Sequence, residues 1–214
     1  RNQVEREIRT IKQAWLAEWN TKLTSDEVPL CPYRVIWDLM HTVDVGNTII
    51  THDAGSPRDQ LSPFWETTTP LSYIGWGKST QLGYGLGLTL GAKLAAPDKH
   101  AINIMGDAAF GMAGLDIETA ARSGLGTITI VLNNGVMTHY SSMLPHATEH
   151  WKSNELGGIY SDTAKSLGAH GERVTSPTEI APAIKRAIEI SGSGQPVLLE
   201  MMTKEEENIS TYGR

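Results

Sequence analysis

The sequence predicts an α/β fold, a mostly parallel sheet with helices on both faces, and three observations carry that expectation. Short β-branched or apolar runs, "NTIITHD", "INIMGD", "ITIVLNN" and "PVLLEMM", alternate with stretches of helical periodicity. Within these runs the apolar residues are consecutive, the mark of strands covered on both sides. The 214 residues suffice for one substantial core and leave no room for a second full domain.

Residues 4–19 place Ile8, Ile11, Trp15 and Trp19 three and four apart, one face of an amphipathic helix that needs a surface to pack on. Trp15 and Trp19 are expected as core or interdomain contacts. "TSDEVPLCP" stops this helix, with Pro29 and Pro32 marking a linker. Residues 1–30 therefore read as a helix and linker from a preceding domain, and residues 31–214 as the domain that follows. "YRVIWDLMHTV" starts a new helix, and further helices fit at 82–95, 113–123, 159–167 and 177–191, between the four strands. The tail "KEEENISTYGR" reads as solvated and loose. Because the chain opens on Arg1 without a methionine, we expect it to be a piece of a longer protein.

Eighteen basic against twenty-four acidic residues, a net charge of -6 and no long basic run argue against a nucleic-acid or anionic-membrane surface. The single cysteine, Cys31, excludes an intrachain disulfide and a multi-cysteine zinc site, which suits a reducing, cytoplasmic setting. No apolar run approaches the roughly 18–20 residues of a membrane span, and the charged start is unlike a signal peptide.

The chemistry gathers at strand ends. "IMGDAAFG" sets Asp107 at the end of an apolar run among residues too small to shield it, and "ITIVLNN" runs into Asn133 and Asn134. In open parallel sheets ligands collect outside the carboxyl ends of the strands. One carboxylate and one amide oxygen make a partial cage suited to Mg²⁺, which takes few protein oxygens and completes its shell with water and phosphate. The pairing implies a phosphorylated ligand, and Ala108, Ala109, Gly111 and Gly114, the last at the start of a helix, would let backbone N–H groups approach it. On the residues alone, a Gly-Asp at a strand end is more often a turn with an N-cap acid than a metal ligand. Asp53 fits a cap or loop contact as well as a ligand and is left out of the site.

The stretch "GDAAFGMAGLDIETAARSGLGTITIVLNN" resembles the cofactor motif of thiamine diphosphate enzymes, a Gly-Asp pair separated by 25 residues (108–132) from Asn-Asn. The chain is most similar to the C-terminal, diphosphate-binding domain of the acetolactate synthase-like group, over about residues 33–203, with residues 1–30 similar to the segment joining a middle domain to this one. The resemblance implies that Asp107, the Asn134 side-chain oxygen and the Val136 carbonyl bind Mg²⁺. Gly106, Asp107 and the backbone of Ala108 and Ala109 would meet the cofactor, and Gly55 and Ser56 of "HDAGSPRDQ" would form an upstream diphosphate loop. Ala108 and Ala109 stand where the family usually has Gly and often Ser, so a hydroxyl contact is lost while the N–H donors remain. "KSTQLGYGLGLTLGAKLA" is similar to a second family stretch. There Leu82 would wedge the cofactor into its bent form, and the Leu82 N–H and Thr80 carbonyl would meet the aminopyrimidine. Gly83, Gly85, Gly87 and Gly91 would permit close approach of helix, sheet and cofactor. They could instead serve helix packing alone, and a dinucleotide fingerprint fails because no convincing strand precedes them.

The resemblance further implies a small-molecule substrate, a 2-oxo acid or relative, with a C–C bond cleaved or formed beside a carbonyl. It implies a homodimer or tetramer and a missing N-terminal pyrimidine-binding domain whose glutamate activates the cofactor from the other subunit. No catalytic residue is assigned in this chain. True acetolactate synthases usually carry a Gly-Met-Val-x-Gln-Trp-like stretch where this chain reads "GVMTHYSSMLPHATEHW". The motif is equally similar to oxalyl-CoA decarboxylases and 2-hydroxyacyl-CoA lyases, so a CoA thioester substrate remains an alternative, as does a non-catalytic cofactor-binding module. His139, His146 and His150, in a segment with Pro145, fit a mobile active-site loop better than zinc.

Overall fold

The computed structural model describes residues 2–77, 81–206 and 208–210. Six strands form one all-parallel sheet: β1 (Thr48–His52), β2 (Tyr73–Ile74), β3 (His100–Gly106), β4 (Thr127–Asn133), β5 (His170–Val174) and β6 (Val197–Met202), in the spatial order β2-β1-β3-β4-β6-β5. The helices are α1 (Asn2–Leu23), α2 (Pro32–Thr42), α3 (Ser56–Leu61), α4 (Tyr84–Ala95), α5 (Asp107–Ala113), α6 (Asp116–Arg122), α7 (Tyr140–Met143), α8 (Pro145–Trp151), α9 (Tyr160–Ser166) and α10 (Pro177–Gly192).

Side chains alternate across the strands, so the apolar runs feed two cores. On one face Ile102, Ile104, Ile130, Leu132 and Leu199 meet α2 and α10 through Ile36, Leu39, Ile180 and Ile184. On the other, Met105, Val131 and Leu198 meet Leu86, Phe110, Ile117 and Ala164 of α4, α5, α6 and α9. All four predicted strands form within two residues of their expected limits. The two not foreseen are edge strands. β2 has two residues, and β5 reads "HGERV", too polar to register as an apolar run.

The helix expected at 113–123 is two helices, α5 and α6, and begins at Asp107. Gly114 therefore closes α5 instead of opening a helix: a Cβ there would lie 2.7 Å from the Phe110 ring and carbonyl. The stripe on α1 divides in two. Trp15 and Trp19 pack on Phe64 at ring distances of 4.7 and 5.3 Å, and Trp19 meets Tyr33 at 4.9 Å, contacts worth about 0.5–1.5 kcal/mol each beyond area burial. Ile8 and Ile11 stay exposed, because the surface under α1 ends before them. The described part of the tail is docked, not loose. Leu30 and Thr203 bridge, Lys22 pairs with the buried Glu206 at 2.7 Å, and the Tyr33 hydroxyl donates to the Asn208 carbonyl at 2.6 Å. No described helix is long and apolar enough to cross a membrane.

Candidate functional site

After β1 the chain moves outward to β2, then returns to place β3 on the other side of β1. Successive connections diverge at that point, and a crevice opens beyond the carboxyl ends of the strands. The ends of β1, β3 and β4 meet there in a cleft of about 320 Å³. Gly55, Ser56, Leu82, Gly106, Asp107, Ala108, Ala109, Asn134 and Val136 all line it. Thr80 lies outside the described residues.

Each wall has a local cause. At the end of β1, Gly55 adopts φ 80 and ψ -151, a region open essentially only to glycine, and turns the chain into α3, with Ser56 at its first position. Asp53 is a buried brace: its carboxylate accepts from the Ala54 and Gly83 N–H groups at 2.9 Å and from Gly85 at 3.1 Å. It thereby fixes the start of α4 to the end of β1 and sets Leu82 beside the cleft. Burial pushes its carboxyl above the usual range, against the pull of those three N–H groups.

The four glycines of this stretch differ. A Cβ on Gly85 would lie 2.6 Å from Asn103 Oδ1 and 2.8 Å from the His52 carbonyl, and one on Gly83 2.9 Å from the Ala113 methyl. These two do permit close approach. Gly87 and Gly91 have open space beside them and face outward, so the expectation fails for both.

Asp107 directly follows β3, opens α5 and is 3% exposed. Its Oδ1 accepts from the Ala108 N–H and its Oδ2 from the Gly135 N–H, both at 2.8 Å, the second tying the end of β3 to the turn after β4. Burial raises its carboxyl, opposed by these N–H groups. In that turn Asn134 Oδ1 accepts from the Val136 N–H at 3.0 Å and Nδ2 donates to Thr138 Oγ1 at 2.9 Å, which fixes the amide with its oxygen toward the turn. Gly135 takes φ +74, and Val136 bridges to Glu155. The donor set of one carboxylate, one amide oxygen and one peptide carbonyl is all hard oxygen, suited to Mg²⁺. Each carboxylate oxygen uses one N–H and has lone-pair capacity for a cation as well.

Several lining residues had no signal in the sequence. Met137, Thr138 and Tyr140 follow the Asn-Asn turn, and Ile209 comes from the tail read as solvated. The segment read as one loop contains α7 and α8. His139 lines the cleft while His146 and His150 meet edge to face at 4.2 Å along α8. Among the described residues no group of three His, Cys, Asp or Glu is placed to hold a metal.

The comparisons with known proteins bear on the family and the fold. The family model described as thiamine pyrophosphate enzyme, C-terminal TPP binding domain, matches residues 53–201. An acetolactate synthase large subunit of Mycobacterium tuberculosis is 28% identical over 207 residues, covering 91% of this chain and 37% of that protein. A probable acetolactate synthase large subunit of Methanococcus aeolicus is 30% identical over 184 residues, 82% of this chain and 30% of its own length. Among solved structures, a thiamine diphosphate-dependent 4-hydroxybenzoylformate decarboxylase of Rhodococcus jostii superposes with a TM-score of 0.70 at 24% identity, over 82% of this chain and 33% of that one, and shares the fold. The chain thus spans about a third of the length of the relatives it matches. It belongs to the family of C-terminal TPP-binding domains of thiamine pyrophosphate enzymes.

Proposed function

We propose that this chain is the Mg²⁺- and diphosphate-holding part of an enzyme that cleaves or forms a C–C bond beside the carbonyl of a 2-oxo acid. The observation that supports it most is the convergence of the Gly55 turn, Asp107 and the Asn134–Val136 turn on one cleft at the sheet's switch point. Asp107, Asn134 Oδ1 and the Val136 carbonyl would hold Mg²⁺. The N–H groups around Ala108 and Ala109 and those of Gly55 and Ser56 would take diphosphate oxygens, the small side chains leaving the backbone accessible. Leu82, half-buried against the α4–α5 core, would support the cofactor's bend from below. When bound, thiamine diphosphate supplies an electron sink for the carbanion left by C–C cleavage.

This chain's own residues bind, orient and enclose; the proton-moving acid belongs to a separate pyrimidine-binding domain across a homodimer or tetramer interface, in the cytoplasm. That division of labour explains why the cleft offers a metal and phosphate site without an assigned base.

The test is calorimetric titration of thiamine diphosphate into the full-length protein with and without Mg²⁺, followed by assays with 2-oxo acids and with 2-hydroxyacyl-CoA thioesters. The reading expects Mg²⁺-dependent binding and turnover of a 2-oxo acid. Binding without turnover of either substrate class would leave a non-catalytic module, and an absence of binding would overturn the reading.

A further inference from the structure

The turn that carries Asn134 and Val136 rests on a polar cluster buried inside the sheet. Glu200, in the middle of β6 and 0% exposed, stands in register between Val131 of β4 and Arg173 of β5. Its Oε1 accepts from Asn133 Nδ2 and from Arg173 Nη2, both at 2.8 Å. Its Oε2 accepts from Arg173 Nε and from the Ser161 N–H, both at 3.0 Å. The fork-to-fork pair is the strong form of an arginine–carboxylate contact. Burial alone would raise this carboxyl, but the Arg173 guanidinium, the Ser161 N–H and the Asn133 amide hold it down at about 2.

Each partner of Glu200 leads to one end of the segment 134–159. At its start, Asn133 turns its other amide atom, Oδ1, to accept from the Gly135 N–H at 3.1 Å, the same N–H that donates to Asp107. At its end, Ser161 lies in the first turn of α9, and Arg173 Nη2 reaches the Gly158 carbonyl at 3.2 Å. A Cβ at Gly171 on β5 would lie 1.9 Å from the Ser161 carbonyl, so strand and helix are locked together at that end. One carboxylate thus fastens both ends of the segment that holds Asn134 and Val136, yet neither Glu200 nor Arg173 lines the cleft.

We propose that Glu200, through Asn133 and with Arg173 as its counterion, is the positioning residue of the Mg²⁺-binding turn. This rests on the metal and cofactor reading above. Outer partners of ligands fix their orientation, and losing them typically weakens metal affinity about ten- to hundredfold. Glutamine at 200 has one acceptor atom where Arg173, Asn133 and Ser161 all donate, so the amide of Asn133 is released and the Gly135 N–H keeps only its bond to Asp107.

The experiment measures the Mg²⁺ concentration that half-saturates thiamine diphosphate binding in the full-length protein, by calorimetry, for wild type, Glu200→Gln, Asn133→Ala and the double variant. The expected result is an Mg²⁺ midpoint raised about ten- to hundredfold in each single variant. The double variant should be no worse than the weaker single, because both act along one path. A contact that only staples the sheet edge would lower the melting temperature and leave the Mg²⁺ midpoint unchanged in folded Glu200→Gln, which overturns the inference; additive effects do so too. Should Glu200→Gln fail to fold, Asn133→Ala decides alone, since it leaves the Arg173 and Ser161 contacts intact, and a wild-type midpoint there also overturns it. If wild type itself shows no Mg²⁺-dependent binding, the functional reading fails and takes this inference with it.

Discussion

Asp107 and Glu200 are both carboxylates shut away from water near the carboxyl ends of the sheet, and their surroundings treat charge in opposite ways. Glu200 meets the guanidinium of Arg173, which with its N–H partners outweighs burial and holds it near 2. Asp107 meets two backbone N–H groups, and burial prevails, pushing its carboxyl upward. On the proposed function, the difference separates an acid that serves the fold from one that serves a ligand. The first has its counterion built in; the second carries a charge that a bound cation is suited to neutralise. Their linkage to pH has opposite sign. Glu200, depressed from 4.5, contributes stability that is present above that value and lost as the pH falls toward 2. Asp107, raised from 3.8, binds its proton more tightly folded than unfolded, so stability declines as the pH rises through the window above 3.8.

The largest effect expected from this contrast is on the Glu200 side, where the shift from 4.5 to about 2 corresponds to roughly 3 kcal/mol at neutral pH. Urea unfolding of the ligand-free full-length protein at several pH values, wild type against Glu200→Gln, should show the gap between the two narrowing steadily below pH 4.5. A constant gap would mean that the Arg173 pair does not hold the carboxylate in the fold.

A second test takes Leu82 as a cleft residue with a ligand role like that of Asp107. Leu82→Ala should lower kcat on the order of thirtyfold, about 2 kcal/mol, with a smaller change in cofactor affinity, because affinity rests on metal and phosphate contacts. Leu82→Met should be mild, as its volume is close and its side chain adapts. Normal turnover in Leu82→Ala at saturating cofactor would remove Leu82 from beneath the cofactor.

Third, Asp107→Asn removes a buried charge and keeps the size but leaves one acceptor where the Ala108 and Gly135 N–H groups both donate, so the ligand-free protein should melt slightly below wild type, by about 1 kcal/mol. A large loss of melting temperature would place Asp107 with Glu200 among the acids of the fold. The smallest change is at an outward position: Gly87→Ala should stabilise by up to about 1 kcal/mol through helix propensity, since nothing lies within 4 Å of the added methyl. Gly85→Ala, blocked by the His52 carbonyl, should instead destabilise. Equal melting temperatures for the two would show that the close approach at Gly85 is not a constraint.

How much of this could be read in the sequence follows from where the signal lives. The inner strands and α4, α9 and α10 were legible because burial on both faces forces consecutive apolar residues and helical periodicity. β5 was not, because an edge strand tolerates His, Glu and Arg, and only its neighbours show that Arg173 points to Glu200. Asp107 and Asn134 were legible as oxygen donors at strand ends and Leu82 only through the family resemblance, and the structure puts the three on one cleft. Thr138 and Ile209 were invisible, since each reaches the cleft through the path of a connection and not through a local pattern. Glu200 looked like one acid in "PVLLEMM"; its partners are 27, 39 and 67 residues away in sequence, beyond any local reading. The glycines at 83, 85, 87 and 91 looked alike, and only the third dimension separated the two that are packed from the two that are not.

The central claim is that Asp107 and the turn at Asn134 hold the cation through which diphosphate binds. It is tested most directly by titrating thiamine diphosphate into full-length wild type and Asp107→Asn, each with and without Mg²⁺. The account predicts binding by wild type only when Mg²⁺ is present, and no measurable binding by a folded Asp107→Asn in either condition. Wild-type affinity in Asp107→Asn, still dependent on Mg²⁺, would contradict it.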